Sequence, residues 1–233
     1  MLDNSRVAIY YAPTPDSALW RSASQWLGRD AVSGQTAIPT SLPAAWSAEW
    51  PGIVKSPRHY GFHATLKPPF ELRQGFSRDQ LIAAAQQFAE DRKAFTLPGL
   101  RLSRLGSFLA LTEAAPSPEL HQLAADSVVY FEPFRQPPTE AALAARRHGI
   151  ADARQLELIS QWGYPYVMDQ WKFHMTLTSS LDDALLRDQV REYLGDLLAP
   201  ILEEVLPVDA ICVYAQESRE QPFHLLSRLP FSL

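Results

Sequence analysis

The chain has 233 residues and 46% hydrophobic content, enough to bury a core as one large domain or two small ones. A net charge of −5 argues against a broad electrostatic grip on long nucleic acid, and no run of 18 apolar residues is present to span a membrane. A locally positive cleft for a small phosphoester stays compatible with that charge. Cys212 is the only cysteine, which excludes an internal disulfide and a thiolate metal cluster and fits a reducing compartment.

Nineteen prolines against ten glycines imply many stiff connections. Residues 1–6 lack the basic and apolar regions of a signal peptide, so cytoplasmic residence is expected. The β-branched and aromatic run from Arg6 to Ala12 reads as a strand closed by Pro13 and Pro15. A helix follows from Ala18 to about Leu27, with Leu19, Ala23, Trp26 and Leu27 on one face and Gly28 ending it. Residues 31–58 show no clear period and read as irregular, with at most a short helix near 43–50. A strand then leads to Pro68-Pro69, which should stop it because neither proline can donate to a ladder.

Ser77 caps a helix predicted from Arg78 to about Asp91, and Phe95 to Ser103 and Phe108 to Thr112 form a hairpin around Gly106. A helix from Pro118 to about Phe131 completes a first lobe. Two helices, Thr139 to Arg147 and Asp152 to Trp162, read as an insertion, and the aromatic loop Trp162 to Tyr166 is placed to cover a cleft. A strand around 172–178, a helix from Asp182 to about Leu198, and strands from Val208 to Gln216 and Phe223 to Leu229 close the chain. The expected architecture is α+β: one bilobal domain with lobe 1 over 1–131, an insertion over 132–170 and lobe 2 over 171–233. Each lobe would be an antiparallel sheet with outer helices, the two clasping a central cleft.

One pattern occurs twice. Phe62-His63-Ala64-Thr65-Leu66 returns as Phe173-His174-Met175-Thr176-Leu177, 111 residues later. As strands with period two, these put His63, Thr65 and Lys67 on one face, and Lys172, His174 and Thr176 on one face of the second copy. A lone strand histidine is usually bonded to a carbonyl in the core; repetition at a fixed offset from Thr points to chemistry instead. Phosphodiester cleavage needs one group to accept a proton and another to donate one, and imidazole does either near neutral pH. A threonine hydroxyl can steady a non-bridging phosphoryl oxygen. Two histidines can ligate zinc, but no Asp, Glu or Cys lies on either histidine-bearing face to complete a site, so neither a metal nor another cofactor is expected.

With both motifs in view the chain resembles the 2H phosphoesterase superfamily, defined by two His-x-Thr/Ser motifs. Tyr60 to Phe70, Trp162 to Val167 and Phe173 to Thr178 are similar to its bacterial, phosphonate-metabolism-associated branch (DUF1045-like). The resemblance implies a LigT-like bilobal fold and metal-independent hydrolysis of a cyclic or linear phosphodiester. It implies His174 as base toward water, His63 as acid toward the leaving oxygen, and Thr65 and Thr176 on the phosphoryl oxygens. Lys67, Lys172 and Tyr11 are candidate substrate contacts; Tyr10 and Tyr11 alternate, so only one can face the groove. Arg58, Arg146 and Arg147 are further cations able to meet an outer phosphate, although a solvated charge is the commoner role. His59, His121, His148 and His224 show no partner spacing. The expected partner is a cyclic nucleotide or cyclic sugar phosphate handled by a monomer. The alternatives are an RNA-end binding or ligating protein and a non-catalytic nucleotide-binding module using the same groove.

Overall fold

A computed structural model describes residues 5–39 and 42–232. Residues 1–4 of the segment read as lacking a signal peptide, and residues 40 and 41 of the segment read as irregular, lie outside the described residues. In chain order the elements are β1 (Arg6–Tyr11), α1 (Ala18–Leu27), α2 (Trp50–Ile53), α3 (Lys55–Tyr60), β2 (Ala64–Phe70), α4 (Arg78–Glu90), β3 (Phe95–Leu97), β4 (Leu100–Leu105) and β5 (Phe108–Glu113). They continue with α5 (Pro118–Tyr130), α6 (Glu140–Arg147), α7 (Ala153–Trp162), β6 (Met175–Thr176), α8 (Ala184–Leu202), β7 (Leu206–Val208), β8 (Ala210–Gln216) and β9 (His224–Pro230).

Local chemistry sets most boundaries. The Ser17 hydroxyl accepts from the Trp20 amide at the start of α1, and Gly28 ends it in the left-handed conformation at φ 69°. Ser77 and Gln80 form a reciprocal capping box on α4, and Asp183 rather than Asp182 caps α8. That helix runs on to Leu202, past the predicted end near Leu198, with Pro200 inside its last turn.

Seven strands pair in the order β4-β5-β6-β2-β1-β8-β9, every neighbouring pair antiparallel. The α+β class follows, but sheet order does not follow the predicted lobe boundaries. The C-terminal strands β8 and β9 extend the half built on β1 and β2, and the second motif strand joins the β4-β5 hairpin. The expected strand from Phe95 to Ser103 is two: Pro98-Gly99 breaks it, with Gly99 at φ 147°, so β3 pairs with β7 in a separate two-stranded sheet.

Two further departures concern the motifs. β2 continues through Pro68-Pro69 to Phe70, because β6 is only two residues long and leaves that stretch of β2 paired to β1 alone. The second motif strand is correspondingly shorter than the predicted 172–178. It is anchored from outside the sheet: the buried indole of Trp26 on α1 donates to the Leu177 carbonyl at 2.8 Å. Trp26→Phe should leave that carbonyl without its buried donor and cost about 1–3 kcal/mol. Thermal unfolding should show a Tm lower by several degrees; an unchanged Tm would contradict the anchoring role.

Candidate active site

The two motifs meet at the middle of the sheet, where Ala64 of β2 pairs antiparallel with Met175 of β6. Counting outward from that pair sets Thr65 opposite His174 and His63 opposite Thr176. Directly opposed residues have Cα atoms roughly 4.5–5.5 Å apart, so two imidazoles and two hydroxyls occupy one small patch.

Each imidazole is clamped the same way. His63 Nδ1 is 2.9 Å from the Gly61 carbonyl and His174 Nδ1 is 2.8 Å from the Lys172 carbonyl, two residues back in both cases. A carbonyl only accepts, so Nδ1 carries the proton and Nε2 is left for chemistry. His63 Nε2 sits 3.3 Å from the Thr65 hydroxyl. The His63 ring stacks on Tyr10, with centroids 3.7 Å apart and planes 22° apart. Burial depresses the His63 pKa to about 4, the Gly61 hydrogen bond opposes this, and His174 adds to the depression. His63 is therefore neutral at pH 7.

Gly61 makes the first clamp possible. Its φ of 81° and ψ of 173° belong to a region open essentially to glycine alone, and a Cβ there would lie 2.7 Å from the Ala31 Cβ. The backbone turns there so that its carbonyl faces back onto the imidazole two residues later.

Three expected contacts lie elsewhere or act differently. A register shift between the Ile9–Lys67 and Tyr10–Thr65 pairs is a β-bulge at Leu66, which turns Lys67 off the Thr65 face. Lys67 is 2% exposed, and its ammonium donates at 2.8 Å to both the Val128 carbonyl and Glu132. Tyr11 pairs with Ala64, on the face opposite Thr65, and its buried hydroxyl donates to the Pro207 carbonyl at 2.7 Å. Tyr10, paired with Thr65, is the tyrosine at the site. Lys172 is exposed before β6 and lends the site its carbonyl.

Sequence reasoning missed the aromatic wall around His63. Tyr60, Tyr214 and Tyr10 surround its ring, Phe108 approaches His174, and the Trp171 indole donates to the Thr65 carbonyl at 2.7 Å. The buried Tyr10 and Tyr214 hydroxyls make no hydrogen bond among the described residues, and burial raises both pKa values, so both stay protonated. The signal for this wall was the alternation Cys212-Val213-Tyr214-Ala215-Gln216, which needed its pairing to β1 to be placed.

The two His-x-Thr motifs thus meet at the centre of one antiparallel sheet. Residues 65–224 match the model of a family described as "Protein of unknown function (DUF1045)", and the chain belongs to that family. It is 37% identical over 98% of its length to a protein named ribose 1,5-bisphosphate phosphokinase PhnN from Janthinobacterium sp. (strain Marseille). It is 37% identical over 76% of its length to the protein of the same name from Laribacter hongkongensis (strain HLHK9). The matches cover 51% and 41% of those proteins, so the chain spans about half the length of the curated relatives it matches. Solved structures similar in fold include a phosphoesterase and E. coli LigT complexed with 3′-AMP, each at TM-score 0.44 and 13% identity over 99% of both chains. Kluyveromyces marxianus Usb1 is similar at TM-score 0.40 and 10% identity, over 98% of this chain and 99% of its own.

Two outcomes follow from the clamps. Gly61→Ala should cost about 1–3 kcal/mol in urea unfolding and disturb the His63 ring, seen as a shifted imidazole resonance. The depressed His63 pKa also sets a sign: between pH 6.5 and 4 the unfolded chain takes up a proton that the folded chain does not, so stability falls as pH falls through that window. His63→Gln should flatten that decline in denaturant midpoints measured at pH 7 and pH 4.5; parallel declines in the two proteins would contradict it.

Proposed function

We propose that the chain is a phosphodiesterase that opens a small cyclic phosphodiester by acid–base catalysis between His63 and His174. The observation that carries this reading is the antiparallel meeting of the two motifs at Ala64 and Met175. Water attacks phosphorus, one imidazole Nε2 takes its proton, the bond from phosphorus to the leaving oxygen breaks, and the other imidazole protonates that oxygen, leaving a phosphate monoester. Thr65 and Thr176 donate to the non-bridging oxygens as charge builds.

The electrostatics favour a reversal of the roles implied by family resemblance. A half-buried, neutral His63 is poised to accept a proton, so we assign it as base and His174 as acid. Tyr10 and Tyr214 supply neutral donors beside His63, and Lys172 stands exposed next to His174.

Relatives of about twice the length bear a name concerned with ribose 1,5-bisphosphate, which favours a pentose phosphodiester over nucleic acid as substrate class. The phosphonate-associated branch that the motifs resemble agrees with that choice. His63→Ala and His174→Ala should each lower turnover of the best substrate from a panel of nucleoside and sugar cyclic phosphates by about 10²–10⁴-fold. Thr65→Val should lower it by about 10²–10³-fold, and EDTA should have no effect. Monoester product forming equally fast in both histidine variants would overturn the mechanism. Tight binding without product from any panel member would favour a non-catalytic nucleotide-binding role.

A further inference from the structure

At the end of the sheet where β1 begins and β2 finishes, a cavity of about 850 Å³ opens between the strands and the segment connecting α5 to β6. Seven cationic side chains line it against one carboxylate, Glu71, in a chain whose net charge is −5. Four of the cations pair with three carboxylates: Lys67 and Arg135 share Glu132, Arg219 meets Glu71, and Arg78 meets Glu217. Arg6, Arg73 and Arg146 pair with no carboxylate among the described residues. Arg6 Nε donates to the Gln216 side chain at 2.7 Å, and Arg146 donates to the Gly163 carbonyl.

These charges are crowded. The Arg146 pKa is lowered, by burial first, with Tyr164 opposing and Arg135, Arg219 and Arg6 adding repulsion. Holding like charges together costs free energy that a bound anion would recover. No residue of the histidine site lines the cavity, but two links connect them. Arg6 and Tyr10 share one face of β1 by strand alternation, and Tyr10 stacks on His63. Tyr164, in the cavity wall, lies close enough to Tyr10 to affect its ionisation. Four residues of strand separate Tyr10 from Arg6 by roughly 13 Å between Cα atoms, and a guanidinium reaches back over part of that span.

We propose that this cavity is a second anion subsite, holding a phosphate monoester carried by the same small molecule whose phosphodiester lies between His63 and His174. The assignment rests on the phosphodiesterase reading for the second half of that statement, not for the cavity's own affinity. The substrate class narrows accordingly to a phosphorylated cyclic phosphodiester, with one group to be cut and another to be gripped. Trp162 and Tyr164 in the wall give the connecting carbon skeleton an apolar surface.

Two measurements test it. Isothermal titration should show ribose 5-phosphate, but not ribose, binding the wild-type chain. That binding should survive in His63→Ala/His174→Ala and fall at least about tenfold in Arg6→Gln/Arg146→Gln, with thermal unfolding used to establish that both variants are folded. Loss of binding in the histidine variant, or none lost in the arginine variant, would overturn the subsite. In kinetics, a 5′-phosphate on a nucleoside 2′,3′-cyclic phosphate should lower KM about tenfold or more, and the arginine variant should abolish that advantage. Equal KM values for the two substrates in the wild type would also overturn it. Absence of turnover with every cyclic phosphate would sink the phosphodiesterase reading alone, since the titration reads the cavity without catalysis.

Discussion

The structure depends on one short seam, the pairing of β2 with β6 through Ala64 and Met175. Strand alternation on either side of that pair decides that two histidines distant in sequence share one patch. The seam itself is too short to be strong, since β6 is two residues long, so its stability has to come from its neighbours. β5 holds the far edge of β6 through Ala110 and Leu111, the Leu177 amide donates to the Leu109 carbonyl at 2.9 Å, and the Trp26 indole holds the Leu177 carbonyl. Phe173, Met175 and Leu177 are buried beneath, so the apolar half of each motif secures what the polar half presents.

Within the patch, backbone carbonyls do the orienting that a carboxylate does in many acid–base sites. A carbonyl fixes the Nδ1 tautomer, and at His63 its upward pull on the pKa is outweighed by burial. Burial against Tyr10 and Tyr214 then dominates at His63, and the ring stays a free base. Equivalent clamps on the two rings therefore yield inequivalent histidines, because three tyrosine rings surround His63 and only Phe108 approaches His174.

Much of this was legible in the sequence. Period-two alternation placed each His with its Thr, helix caps at Ser17 and Ser77 marked true starts, and repetition of Phe-His-x-Thr-Leu singled out the two histidines. What failed depended on pairing, which no single strand encodes. Lys67 obeys alternation up to Leu66 and is then diverted by a bulge defined only against β1. Tyr10 and Tyr11 are indistinguishable until their partners, Thr65 and Ala64, are known. Pairing also brings in β8, which reaches the β1 edge from the far end of the sequence. The break at Pro98-Gly99 was visible in composition, but its outcome, a separate pairing with β7, was not.

The segment between α5 and β6 carries a different lesson. It packs Leu158 and Val167 against Val128 of α5, with Trp162, Tyr164 and Met168 around them, so it is a packed wall and not a loose connection. Lys67, turned away from the Thr65 face, ties β2 to α5 and that wall through Val128 and Glu132. Glu132 is shared with Arg135, and Arg6, Arg73 and Arg146 line the cavity without a carboxylate of their own among the described residues. A residue turned off the histidine-bearing face by a one-residue bulge thus helps fix the charge balance beside it. An acidic chain can in this way present a positive interior to a small anion while its overall charge disfavours long polyanions.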